Sequence, residues 1–311
     1  MAAEFDPADF ARLVTRLRFR DLRLLVALRD GGSLRAAASV LNLTQPALSK
    51  SLGEIERAFG TALFVRNPRG LVPTPAGDIG IRGATLLLRE LVHVQQEVSA
   101  VPATTVLRVG APPFLAQNYL PQVFKRLADS AVPTRIQLWE DRVPMLVDAL
   151  IDGRLDGLVT THPAETAYPA GSTLHYENLF EVEFVVVASS AHALAGVRRI
   201  DWHRLAGERW IMPASNSMVR RMMEEAFRRQ GMYAPSPVIE STVPVTNLQL
   251  VAAGLGIAAV PRTSLDASAL TKDVVVLRLA PPLPRIPVAL MHRGGSENPR
   301  LDLLRTALEL K

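Results

Sequence analysis

Between residues 21 and 60 three helical patterns follow one another, separated only by Gly31-Gly32-Ser33 and Asn42-Leu43-Thr44, and few folds accept helices so short and so closely joined. The first, residues 21–30, sets Leu22, Leu25, Val26 and Leu28 on one face and stops at Gly31-Gly32, residues that tolerate positive φ. Ser33 stands where an N-cap belongs. The second helix, residues 34–41, contains Ala36-Ala37-Ala38, which leaves room for another helix to cross closely. After a short turn Thr44 caps a third helix, Pro46 sits in its first turn where a missing N–H costs nothing, and Leu48, Leu52, Ile55 and Phe59 make its buried stripe. Gln45 with Ser49, and Pro46 with Lys50, lie one turn apart, so polar groups gather at the start of this helix. A helix-turn-helix presents its recognition helix to the major groove in this way.

The next segment supports the same reading. Leu63-Phe64-Val65-Arg66 and Leu71-Val72 read as two short strands joined by the basic turn Asn67-Pro68-Arg69-Gly70, a wing whose Arg66 and Arg69 suit phosphates or the minor groove. Residues 12–82 carry twelve Lys and Arg against five acids, a net +7 that exceeds the whole chain's +5. An ordinary helical bundle with solvated charges has no reason to arrange caps, small residues and a wing in this order. The expected DNA-binding set is Ser33, Arg35, Thr44, Gln45, Pro46, Ser49, Lys50, Arg66 and Arg69.

A long helix is expected over residues 76–100, with Gly80, Ala84, Leu87, Leu91, Val94 and Val98 spaced 4, 3, 4, 3, 4. So narrow a seam suits a two-helix coiled coil, with Ala84, Leu87, Leu91, Val94 and Val98 as dimer contacts. Packing on the same chain is the competing reading, since Gly80 and Gly83 weaken a free-standing helix. The helix stops at Pro102, and from Thr105 onward short β-rich runs alternate with amphipathic ones. Strands are expected at 106–110, 135–139, 156–160, 184–188, 256–260, 274–279 and 287–291, and helices at 119–129, 144–152, 218–230 and 245–253. The alternation argues for parallel α/β sheets, either one large sheet or two lobes. With 311 residues, 48% hydrophobic and 21% charged, the chain has material for two or three compact domains.

The motifs Leu22-Arg23-Leu24-Leu25-Val26-Ala27-Leu28, Gly32-Ser33-Leu34-Arg35-Ala36-Ala37-Ala38, Leu41-Asn42-Leu43-Thr44-Gln45-Pro46-Ala47-Leu48-Ser49-Lys50 and Thr74-Pro75-Ala76-Gly77 resemble those of the LysR-type transcriptional regulators. A weaker likeness runs on to Val260-Pro261. The resemblance implies an α/β chain with an N-terminal winged helix-turn-helix, a long linker helix, and a two-lobed effector domain like the periplasmic binding proteins. The expected division is an extension at 1–18, a DNA-binding domain at 19–75, a linker helix at 76–102 and a regulatory domain at 103–311. Within the last, lobe I covers about 105–175 and 277–311 and lobe II about 176–276. The resemblance also implies a homodimer, and a homotetramer through regulatory-domain contacts, on a pseudo-palindromic double-stranded DNA operator, with RNA polymerase a further candidate partner.

It implies a small molecule in the cleft between the lobes, where strand ends and loop amides attract anions. The loops there offer Thr160, Thr161, Ser215, Asn216, Ser217 and Thr242 as hydroxyl and amide groups. Pro112 and Phe114 make an apolar wall where the family often has a hydroxyl. Together they point to a small organic acid with a hydrophobic or aromatic part. The alternative is a nucleoid-type DNA-binding protein whose C-terminal lobes hold no ligand.

The chain contains no cysteine, which excludes a thiol nucleophile, a Cys-ligated metal and cysteine-based peroxide sensing. The histidines, His93, His162, His175, His192, His203 and His292, show no metal-ligand spacing, and neither a Gly-x-Ser-x-Gly elbow nor a P-loop occurs. Gly254-x-Gly256 lies between a helix and a strand, the reverse of a dinucleotide fingerprint. No enzyme, metal or cofactor is expected. With no signal peptide and no apolar run near the ~20 residues that span a bilayer, a soluble cytoplasmic protein without a membrane partner is expected.

Overall fold

The computed structural model describes residues 13–67, 70–99, 104–161, 174–294 and 298–310. The chain divides into two compact units near Thr105, the first also taking in Asp148–Leu155.

In the first unit, α1 (Phe19–Gly31), α2 (Leu34–Val40) and α3 (Gln45–Phe59) begin and end on local chemistry. Gly32 closes α1 at φ 60°, the Ser33 hydroxyl accepts the Ala36 N–H at 3.2 Å, and the Thr44 hydroxyl accepts the Ala47 N–H at 3.4 Å. Leu24, Leu25, Leu28, Ala37, Leu48 and Ile55 form the core that the three helices share. Phe59, expected in the buried stripe of α3, is exposed instead, because it is the last helical residue and Gly60 turns the chain away from the core.

The strands β1 (Phe64–Asn67) and β2 (Gly70–Pro73) pair antiparallel as the wing. Leu71 N–H donates to the Gly32 carbonyl at 3.0 Å, which ties the wing to the end of α1. Thr74 donates its hydroxyl to the Ala62 carbonyl and accepts the Gly77 N–H, opening α4 (Pro75–Ser99) against the same hairpin. A Cβ at Gly77 would lie 1.9 Å from the Leu63 carbonyl oxygen, so only glycine fits there.

The first half of α4 lies on the unit's own core. Ala84, expected at a dimer seam, is 2% exposed and packs with that core, where its small side chain lets the helices approach closely. Further along, Leu87, Leu91, Val94 and Val98 are all exposed, between 46% and 79%. Another face of α4 carries the intramolecular contact, with Arg89 donating to the Asp152 carbonyl at 2.6 Å.

The second unit contains two five-stranded sheets. The first joins β3 (Thr105–Ala111), β4 (Thr134–Glu140), β5 (Gly157–Thr161), β6 (Leu174–Val182) and β12 (Ile286–Arg293) in the order β4-β3-β5-β12-β6. The second joins β7 (Phe184–Ser189), β8 (Trp210–Met212), β9 (Ile239–Glu240), β10 (Ile257–Pro261) and β11 (Val274–Val276) in the order β11-β7-β10-β8-β9. Both sheets are mixed rather than purely parallel. The pairs β3/β5, β8/β10 and β8/β9 are parallel, but β12 runs antiparallel to β5 and β6, and β7 antiparallel to β10 and β11. The reversals fall on strands that carry the chain between the sheets, β6 passing to β7 through Glu183 alone. Because β6 pairs with β12, residues 176–182 belong to the first sheet and not to the second lobe as expected.

The helices α5 (Pro113–Asn118), α6 (Leu120–Ala128), α8 (Trp202–Ala206), α9 (Met218–Arg228), α10 (Pro244–Ala252), α11 (Arg262–Asp266) and α12 (Pro299–Ala307) complete this unit, and α7 (Val143–Ile151) begins in it and ends in the first. Trp202, Trp210 and Phe227 interlock edge to face and fix α8 and α9 on β8. Among the described residues no helix is long and apolar enough to cross a membrane.

Candidate functional site

At the start of α3 a single buried side chain, Leu48, anchors the helix, while Thr44, Gln45, Pro46, Ala47, Ser49 and Lys50 all face solvent. A helix end that carries polar groups and is held by one apolar contact is free to enter a groove about 12 Å wide. Ser33 is half-buried as the α2 cap, Arg35 is exposed in the first turn of α2, and Arg66 is exposed on β1. Arg69 lies outside the described residues.

One contributor escaped the sequence reading. Glu56 accepts the N–H groups of Leu63 (2.8 Å) and Phe64 (3.1 Å) on a single carboxylate oxygen, holding the end of α3 and the wing in a fixed relation. An acid in the last turn of a helix is disfavoured by the dipole, and that was the available signal that Glu56 has a specific partner.

The expected effector residues fall into two groups. On the first sheet, Thr160 and Thr161 end β5, 0% and 3% exposed, and strand alternation turns their side chains to opposite faces. The Thr160 hydroxyl is buried without a hydrogen-bond partner among the described residues. Beside them Pro112 is buried ahead of α5. Phe114 is buried in the hydrophobic core, edge-on to Phe184 with ring centroids 6.2 Å apart. The physical reason is that Pro112-Pro113 starts a helix here rather than extending a loop, and the helix turns Phe114 inward.

On the second sheet, parallel pairing of β8 and β9 sets their following loops side by side, with Ser241 N–H donating to the Met212 carbonyl at 3.0 Å. Ser215, Asn216 and Thr242 are exposed and Ser217 half-buried at the head of α9. Asn247, buried on α10 and absent from the expected set, donates to the Ser241 carbonyl while its Oδ1 is left buried without a partner among the described residues. The sheets are joined through Asn118, whose amide donates to the Ser264 hydroxyl at 3.1 Å. No hydrogen bond among the described residues links Thr160 or Thr161 directly to the loop hydroxyls of the second sheet. A groove of about 1010 Å³ lies elsewhere, between α9 and residues 281–287, and shares no residue with the expected set. No group of His, Asp and Glu suited to a metal occurs among the described residues.

Residues 19–78 match the family model for the bacterial regulatory helix-turn-helix protein, lysR family, and residues 102–310 match the LysR substrate binding domain. The chain belongs to the LysR-type transcriptional regulators. HTH-type transcriptional regulator TdcA of Escherichia coli is 31% identical over 222 residues, 70% of either chain. A probable hydrogen peroxide-inducible genes activator of Streptomyces viridosporus is 29% identical over 278 residues, 88% of either chain. In fold, a Cys-to-Asp variant of full-length OxyR from Pseudomonas aeruginosa matches with a TM-score of 0.62 at 22% identity, covering 94% of this chain and 98% of that one. The LysR-type regulator is thus a DNA-binding transcription factor with a substrate-binding domain and not an enzyme. Members of the family bind DNA and small-molecule effectors and form oligomers.

Proposed function

We propose that this regulator acts in the cytoplasm as a dimer on a pseudo-palindromic operator, and that a small organic acid held between the two lobes controls it. The functional division runs 19–75 for DNA binding, 76–102 for the linker helix and 103–311 for effector binding. Gln45, Ser49 and Lys50 contact DNA in the major groove, while Arg35 and Arg66, with Arg69, hold phosphates or the minor groove.

The observation that carries the effector reading is the Thr160 hydroxyl, buried at the carboxyl end of a sheet strand with no partner among the described residues. A hydroxyl left bare in a core costs stability unless something binds it, and its O–H suits a carboxylate. Pro112 and Phe114, both buried next to this strand end, support an apolar part of that acid. Cysteine-based peroxide sensing does not transfer from the peroxide-responsive relatives, since this chain has no cysteine.

For the DNA half, Gln45→Ala is expected to cost about 1 to 3 kcal/mol on a duplex selected by the protein from a random pool and little on unselected DNA. Fluorescence anisotropy with both duplexes measures the two losses. Equal losses on the two would show that Gln45 does not read bases.

A further inference from the structure

Four arginines, Arg16, Arg18, Arg20 and Arg23, crowd into eight positions at the amino-terminal end of α1, and all four are exposed. The acid among them, Asp21, is already engaged. Its carboxylate accepts the Arg18 backbone N–H at 2.8 Å as the helix cap and lies 3.6 Å from the Arg20 guanidinium. The side chains of Arg16, Arg18 and Arg23 make no ion pair among the described residues. The segment is anchored: Leu17 packs on the core of the DNA-binding unit, and its N–H donates to the Leu13 carbonyl at 2.9 Å. The family match begins at residue 19, so Arg16 and Arg18 are additions that the shared domain does not account for.

Like charges held this close repel one another, and a polyanion relieves the repulsion. We propose that this arginine cluster docks on the phosphate backbone of duplex DNA, outside the stretch read by α3. The wing is attached at Gly32, at the opposite end of the 13-residue α1. At 1.5 Å per residue the helix places the cluster about 18 Å from that attachment, the length of about five base-pair steps, so these phosphates differ from those under the wing. The inference rests on the DNA-binding function proposed above. It adds a sequence-independent contact that lengthens the footprint of each protomer.

The test uses the full-length protein, a long duplex selected by the protein itself and an unselected duplex of equal length, titrated over a range of salt concentrations. Removing two phosphate contacts per protomer by Arg16→Gln with Arg18→Gln should lower the slope of log K against log salt by about 2 per bound protomer on both duplexes. Arg16→Lys with Arg18→Lys should restore it, because an ammonium neutralises a phosphate as well as a guanidinium does. An unchanged slope in the Gln variant overturns the proposal, and so does an equal loss in the Gln and Lys variants, which would mark a structural role. If the wild-type protein does not prefer the selected duplex, base reading by α3 fails, while the slope still decides the arginine contact on its own.

Discussion

Full-length regulator carrying Leu87→Asp and Leu91→Asp should be monomeric at concentrations where the wild-type protein is dimeric. Both leucines are exposed on α4, 55% and 46%, one helical turn apart and in line with Val94 and Val98, so the chain by itself leaves this apolar stripe uncovered. The Arg89–Asp152 contact of α4 falls on a different face, which leaves the stripe for a second copy. Across a two-fold axis each substitution appears twice, and four carboxylates brought together in a closing seam cost roughly 4 kcal/mol or more, about a thousandfold in association. Because the positions are exposed within the chain, folding of the protomer should be unaffected, and thermal unfolding checks that. Sedimentation equilibrium reads the mass. A double variant that remains dimeric and binds the full operator with undiminished affinity would place the dimer contact elsewhere.

Thr160→Val should move two measurable quantities in opposite directions. Valine matches threonine in shape and replaces a buried, unpartnered hydroxyl with a methyl group, so the ligand-free protein should gain about 1 kcal/mol or more of stability. The same change removes a charge-assisted hydrogen bond to the acid, and affinity should fall by about 1.5 to 3 kcal/mol, roughly 10- to 100-fold. Calorimetric titration of the full-length protein against a panel of aliphatic and aromatic acids measures the second quantity, and thermal unfolding without ligand measures the first. A gain in stability with unchanged affinity would mean that the hydroxyl is simply an unsatisfied core group.

Where structure is decided by chemistry within four residues, the sequence was sufficient. The Ser33 and Thr44 caps, the stop at Gly32 and the exposed start of α3 are all of this kind. Contacts across a tertiary interval were not visible. Glu56 reaches the wing seven and eight residues away, and Ala84 satisfies a helical repeat equally well whether it faces a partner or its own core. The strand β6 is not legible in the sequence because an edge strand that carries His175, Glu177, Asn178 and Glu181 lacks the apolar run that marks the strands at the sheet centres. At the proposed effector site, Thr160 and Thr161 could be named from their place at a strand end. Their burial on opposite faces, and the packing of Phe114 in the core, depended on the register of β5 with β12 and on a helix begun by two prolines.

If a small acid switches this protein between two DNA-bound arrangements, the footprint on a selected duplex shows it. A ligand shifts such an equilibrium only through its differential affinity for the two states. With the acid that binds in calorimetry, the wild-type protein should show an altered pattern of protection or bending, and Thr160→Val should show the ligand-free pattern at the same acid concentration. An identical footprint with and without every acid that binds, or equal protection of selected and unselected duplexes, would contradict the account and favour a nucleoid-type DNA-binding protein.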